Sequence, residues 1–265
     1  MITATDMRIN KVGKKAGTYS LTDLHTHILP AIDDGAENVD IAIRILQKLK
    51  RYNVERVALT PHFYPSCEPL ESFLNRRQRA YEMLLAYWED KTMPQICLGA
   101  EVRYTPELLQ MDLSRLTIGS GNYLLLELPD MGGSAYVIQV VKELLIREIV
   151  PIFAHIERCL AFRDNPELLF ELVQMGALAQ IDAGALKEKK RDRFAVKCLH
   201  KGLAHVISSD IHNLSDRADS LTEVSSKNNI QILTRAETFS RAIWDGKPLP
   251  DFRIKPLKKG VFGYY

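Results

Sequence analysis

Seven short apolar runs recur along the chain, separated by stretches with helical periodicity, and most of the runs end on a carboxylate or a histidine. They are YSLTDLHTH (19–27), VERVALTPH (54–62), QICLGAE (95–101), NYLLLELP (122–129), IVPIFAH (149–155), ALAQIDAG (177–184) and LAHVISSDIH (203–212). Each has the residues suited to a parallel strand buried on both faces. The intervening stretches read as helices. In NVDIAIRILQKLKRYN (38–53), Val39, Ile43, Leu46 and Leu49 share one face with Ile45 beside them. Residues 70–88, 134–148, 165–176 and 190–202 are further helices. Gly176 and Gly202 are placed as C-terminal caps, Asn165 as an N-cap and Pro166 as the first helical residue.

Strand–helix alternation sustained in this way implies a mainly parallel sheet with right-handed crossovers. A closed or distorted (β/α) barrel is favoured, with a doubly wound open sheet as the alternative. The 265 residues suit one such barrel, and a 46% hydrophobic composition provides a full core. The domain is expected over 19–250. A basic arm at 1–18, disordered or a cloning scar, precedes it, and a solvated basic tail at 251–265 follows.

In a parallel barrel the C-terminal strand ends gather on one rim. Here that rim receives Asp23-Leu24-His25-Thr26-His27, then His62, Glu101, Glu127, His155 and Asp210-Ile211-His212. Side chains at i and i+2 of an extended segment point the same way, so His25 and His27 can hold one ion together and Asp210 and His212 can face one cluster. Carboxylates such as Glu101 can bridge two cations. Histidine and carboxylate without cysteine suit zinc, manganese or iron. A single HxH or a single strand-end acid is weak evidence. So many imidazoles and carboxylates ending apolar strands would be costly to bury without cations.

The motifs DLHTHILPAIDDGA (23–36), TPHFYP (60–65), LGAEVR (98–103), YLLLELP (123–129), FAHIERC (153–159), LAQIDAGAL (178–186) and SSDIHNLSDR (208–217) run in the order and approximate spacing of a known family. The chain resembles the PHP (polymerase and histidinol phosphatase) superfamily, and within it the bacterial tyrosine-protein phosphatases of capsule and exopolysaccharide gene clusters. The resemblance implies a distorted (β/α)7 TIM-like barrel with a metal cluster at the C-terminal strand ends. It implies three divalent ions, manganese foremost and iron or zinc as alternatives. His25, His27, Glu101 and Asp210 would hold one, Glu101 (as a bridge), Glu127 and His155 the second, and Asp34, His62 and His212 the third. Arg158 and Arg217 fall where the family places phosphate-binding arginines. The implied substrate is phosphotyrosine on a protein, a bacterial tyrosine kinase that controls capsule or exopolysaccharide synthesis, attacked by water activated on the metals. Two departures stand out: Ile156 replaces the family's proline after the histidine, and Asp182 stands where a small polar residue is common.

Several other readings compete. Cys97 and Arg103 have the C-x5-R spacing of cysteine-dependent phosphatases, but LGAEV reads as a strand end and not as a phosphate-cradling loop. Another PHP or amidohydrolase-like enzyme, such as a histidinol phosphatase or a metal-dependent nuclease, shares the HxH and the late aspartate. A metal-bound regulatory partner without catalysis is the third rival. A net charge of +2 gives no argument for nucleic acid, and no apolar run approaches the roughly 18 residues of a membrane helix. Four cysteines without a CxxC read as reduced thiols of a cytoplasmic protein.

Overall fold

Strand parity explains the architecture. In β6 (Tyr123–Glu127), Leu124 and Leu126 join the large hydrophobic core, while Tyr123 and Leu125 join a second, smaller cluster on the opposite face. The same split separates Ala179 and Ile181 from Leu178 in β8 (Leu178–Asp182), and Ile207 from Val206 in β9 (Val206–Ser208). The sheet is therefore apolar on both faces, as the runs required. One face is covered by helices and the other is turned inward on itself.

The computed structural model describes residues 20–89, 91–129, 134–187, 192–214, 221, 224, 230–260 and 263–265. The expected arm at 1–18 and the stretch 188–191 lie outside them. The expected second and third strands are each broken in two: β2 (Val54–Leu59) and β3 (His62–Phe63), then β4 (Gln95–Leu98) and β5 (Glu101–Arg103). With β1 (Leu21–Asp23) and β7 (Val150–Phe153), the parallel sheet runs as β1-β2-β4 and β3-β5-β6-β7-β8-β9. A parallel bridge from Thr26 to Ile211 brings the two outer edges together, with His27 N–H donating to the Ile211 carbonyl at 2.9 Å and Asp210 N–H to His25 at 3.0 Å. The result is an α/β fold with a curled parallel sheet.

The helices follow their sequence signals with some corrections. α1 (Val39–Arg51) is capped by Asn38, whose side chain accepts from the Ile41 N–H, and it ends in Lys48, Lys50 and Arg51, favourable to the helix dipole. Its buried face is Ala42, Ile45, Leu46 and Leu49, so Val39 and Ile43 lie at its edge. α2 spans Leu70–Leu85, α3 Ser134–Ile146, α4 Leu160–Asp164, α5 Pro166–Met175 and α6 Arg193–Lys201. Gly176 and Gly202 take the left-handed conformation that ends α5 and α6. Asn165 makes no side-chain cap, because it also ends α4. An unforeseen helix, α7 (Ile230–Trp244), sends Phe239 and Ile243 into the inner cluster.

The C-terminal tail is not a solvated end. Leu257 is fully buried, Phe252 meets the His205 and Phe239 rings, and Lys255 N–H donates to the Lys201 carbonyl at 2.8 Å. Its apolar residues fall between lysines, so the basic composition concealed a packed segment.

The break between β4 and β5 leaves the Gly99 carbonyl to a side-chain donor. Arg77, buried on α2, donates to Gly99 at 2.7 Å and to Arg115 at 2.8 Å, just before Glu101 begins β5. Burial, with Arg115 nearby, lowers its pKa to about 10, so the group stays charged at neutral pH. Arg77→Met is expected to leave the buried Gly99 carbonyl and the part-buried Arg115 carbonyl without this donor and to destabilise the fold by about 2 kcal/mol, read as a lower urea midpoint at unchanged slope. A midpoint equal to that of the unsubstituted protein would refute this role.

Candidate metal centre

The parity that splits the core also aims polar side chains inward. Continuing the inner face of each strand past its apolar residues gives His62 after Ala58, Glu101 and Arg103 after Cys97, Glu127 after Leu125, Gln180 and Asp182 after Leu178, and Asp210 after Val206. Strand register places His62 beside Glu101 and Arg103 beside Glu127. His155 follows Ala154 and would fall on the outer face if the strand continued. Its backbone instead turns left-handed, at φ 28°, and Asp210 is also left-handed, at φ 51°. Such conformations are costly for residues with a Cβ and persist where the surroundings fix them.

All nine residues expected as ligands meet at this rim. His25 Nε2 and His27 Nε2 are 3.1 Å apart. Glu101 Oε2 lies 3.2 and 3.3 Å from them, and Asp210 Oδ1 lies 3.4 Å from each. His62 Nδ1 is 2.9 Å from Glu101 Oε2, and His155 Nε2 is 2.8 Å from Glu101 Oε1. Asp34 Oδ1 lies 3.4 Å from His62 Nε2 and 3.5 Å from His212 Nε2. Three donor groups are close enough to hold an ion: His25, His27 and Asp210; His62, Glu101 and Glu127; and Asp34, His62 and His212 with His27. The middle group differs from the expected one in having His62 where His155 was placed, although His155 touches the same Glu101.

Neighbours fix which nitrogens face the cluster. His27 Nδ1 lies 2.9 Å from Asp33 Oδ2, and His25 Nδ1 lies 3.3 Å from Gln180 Oε1. Both partners are acceptors, so each Nδ1 carries the proton and each Nε2 turns its lone pair inward. Asp33 is itself held by the N–H groups of Gly35 and His62, both at 3.0 Å. Gly35 permits this, since a Cβ there would come within 2.0 Å of the His27 carbonyl oxygen. The centre is thus lone pairs facing carboxylate oxygens. Glu101 Oε2 and His62 Nδ1 are buried without a hydrogen-bond partner. This donor set fits divalent cations.

Without a cation, protons must do the same work. Burial opposes the charge of His25 and His27, but Glu101 and Asp210 outweigh it and raise both pKa values. Burial likewise opposes ionisation of Glu101 and Asp210, and the histidines outweigh it and lower both.

A cavity of about 750 Å³ opens onto this rim, with Arg158 on its wall. One Arg158 nitrogen, Nη2, meets both Asp182 Oδ2 and, at 2.9 Å, Asp210 Oδ2. Asp182 also caps the following turn by accepting from the Gly184 N–H, so it both pairs with Arg158 of the cavity wall and caps a loop. Arg217 lies outside the described residues. Burial pushes the Cys97 thiol up to about 12, which disfavours the thiolate a cysteine nucleophile needs.

Sequence reading missed Asp33, which adjoins Asp34 in an Asp-Asp-Gly turn, and Gln180, a lone amide in an apolar strand. The second of these was a usable signal, since a polar residue on the inward face of a buried strand needs a partner.

Residues 21–235 match the family model described as capsular polysaccharide synthesis, CpsB/CapC. The chain is 30% identical to the tyrosine-protein phosphatase YwqE of Bacillus subtilis over 203 residues, which are 74% of this chain and 79% of that protein. It is 28% identical to the tyrosine-protein phosphatase CpsB of Streptococcus pneumoniae over 216 residues, 74% of this chain and 85% of the relative. The fold superposes with TM-score 0.76 at 24% identity on a crystal structure from a study of YwqE and CpsB, described as metal-dependent tyrosine phosphatases, covering 90% of this chain and all of the other. No helix among the described residues is long and apolar enough to cross a membrane. A match over most of the chain, on a fold whose inner rim gathers histidines and carboxylates, makes this protein a member of the CpsB/CapC family.

Proposed function

We propose that this chain is a metal-dependent protein-tyrosine phosphatase. The observation that carries the reading is the meeting of His25 and His27 lone pairs with Glu101 and Asp210 oxygens, an arrangement only cations or extra protons can stabilise. Three divalent ions, manganese foremost, suit the donor groups: His25, His27, Glu101 and Asp210; Glu101, Glu127 and His155; and Asp34, His62 and His212. The fold reading that goes with it is a distorted (β/α)7 barrel, with β2/β3 and β4/β5 counted as one broken strand each.

Divalent ions bound there would polarise phosphoryl oxygens and acidify water toward neutral pH. The chain supplies the rest. Asp33 and Gln180 hold the two histidine rings so that both Nε2 atoms point inward. Arg158, braced by Asp182 and Asp210, presents a guanidinium that cannot lose its charge to the oxygens of a phosphate ester. Arg217 is placed in the same role. A tyrosine leaving group has a pKa near 10, so it departs with little proton assistance. The substrate is taken to be a phosphotyrosine-bearing protein, a tyrosine kinase of the capsule or exopolysaccharide machinery in the cytoplasm. The relatives' names, tyrosine-protein phosphatases, support the phosphotyrosine part of this assignment.

Activity is the first test of the reading. Purified protein stripped with EDTA should lose phosphotyrosine-peptide hydrolysis and regain it with manganese, and Arg158→Ala should lower kcat/KM by about 10²–10³. A panel that includes histidinol phosphate, single-stranded DNA and phosphoserine peptide should be turned over poorly; preference for any of these would overturn the substrate assignment.

The second test concerns pH. In the metal-free protein the raised His25 and His27 values give stability that is present below about pH 6.5 and lost as pH rises through them. The lowered Glu101 and Asp210 values give stability present above about pH 4 and lost in acid. Cations replace the imidazole protons, so the rise in Tm on adding manganese should grow from pH 6 to pH 8. Taking the difference with and without metal cancels titrations elsewhere, such as that of buried His205, which burial lowers to about 3. A difference that shrinks or stays flat over that range would count against ligation by these histidines.

A further inference from the structure

A phosphatase selective for tyrosine must recognise the ring as well as the phosphate, because the ester oxygen sets the ring directly beyond the phosphorus. The cavity wall is mostly charged or polar around its mouth, with Asp34, His62, Glu127, Arg158, His212 and Asn213. Its apolar members Phe153, Ala154, Cys159 and Phe162 are buried behind that surface. Two apolar side chains on the wall remain partly exposed, Tyr64 and Leu128. Tyr64 stacks on His62, with ring centroids 5.3 Å apart and planes 20° from parallel. An aromatic surface therefore begins one ring away from the donor cluster, and Leu128 directly follows Glu127 of the same cluster.

We propose that Tyr64 and Leu128 form the seat for the substrate's aromatic ring, which makes Tyr64 a specificity-determining residue. The proposal rests on the phosphatase reading and deepens it. The cluster and Arg158 take the phosphoryl group, and they would do so for any phosphate ester. The Tyr64 ring adds an offset or edge contact that only an aryl ester can return. Removing it weakens aryl ligands selectively and leaves the phosphoryl contacts in place.

The test uses the full chain loaded with manganese and two stable ligands with the same head group, phenylphosphonate and methylphosphonate, whose affinities are measured by calorimetry. The unsubstituted protein should prefer the phenyl compound. Tyr64→Ala should cut that preference about three- to tenfold, the size of one aromatic contact, with methylphosphonate affinity and metal content by elemental analysis held. Tyr64→Phe should retain the preference, since the ring and not the hydroxyl makes the contact. Leu128→Ala should reduce the preference as well and provides an independent reading if Tyr64→Ala folds poorly. An unchanged preference in both alanine variants overturns the proposal. So does equal weakening of both phosphonates with loss of metal, which would make Tyr64 a support for His62. Those failures leave phosphotyrosine hydrolysis by the unsubstituted protein intact. Failure of that hydrolysis itself would remove the phosphatase reading and this proposal together.

Discussion

The Glu101 carboxylate is the interaction on which the rest depends. It is buried to 1% exposure, and its two oxygens lie within 3.3 Å of nitrogens from His25, His27, His62 and His155. A buried anion that reaches four imidazoles joins three separate strand ends and the loop after β1. Removing it would take from four imidazoles the carboxylate that they share. Five of the seven histidines of the chain, the four around Glu101 and His212, are committed to this one region.

The fold is arranged to keep that carboxylate in place. Arg77 satisfies the carbonyl of Gly99 two residues earlier, where the sheet breaks between β4 and β5. The β1 and β9 edges are joined at Thr26 and Ile211, between the two groups of ligands they carry. Left-handed backbone accompanies the inward turn of His155 against the parity of its strand, and Asp210, on the inward parity, is left-handed too. Divalent cations among these donors would suit the rim to an anionic ligand, which is the link between packing and the proposed chemistry.

Much of this was legible beforehand, for a physical reason. Apolar runs on a parallel sheet must be buried, so acids and imidazoles at their ends are conspicuous; seven of the nine expected ligands line the cavity, and His25 and His27 lie buried against Glu101. The less visible features were those whose signals are not local. The basic tail at 251–265 was read as solvated because its lysines dominate its composition, yet Leu257 and Phe252 pack between them. α7 carries mixed polarity and meets the inner cluster only near its C-terminal end, through Phe239, Ile243 and Trp244, too few to mark it in a linear pattern.

By itself the sequence determined the alternation of strand and helix, the inward parity that delivers Glu101, Glu127 and Asp210, and the helix ends at Gly176 and Gly202. These depend on periodicity of two or 3.6 and on backbone preferences of single residues. Only the tertiary structure decided that His155 turns inward against the parity of its strand, that Asp33 and Gln180 set the histidine tautomers, and that Asp182 braces Arg158. Each of these depends on the distance between residues far apart in the chain, and no local pattern encodes such a distance.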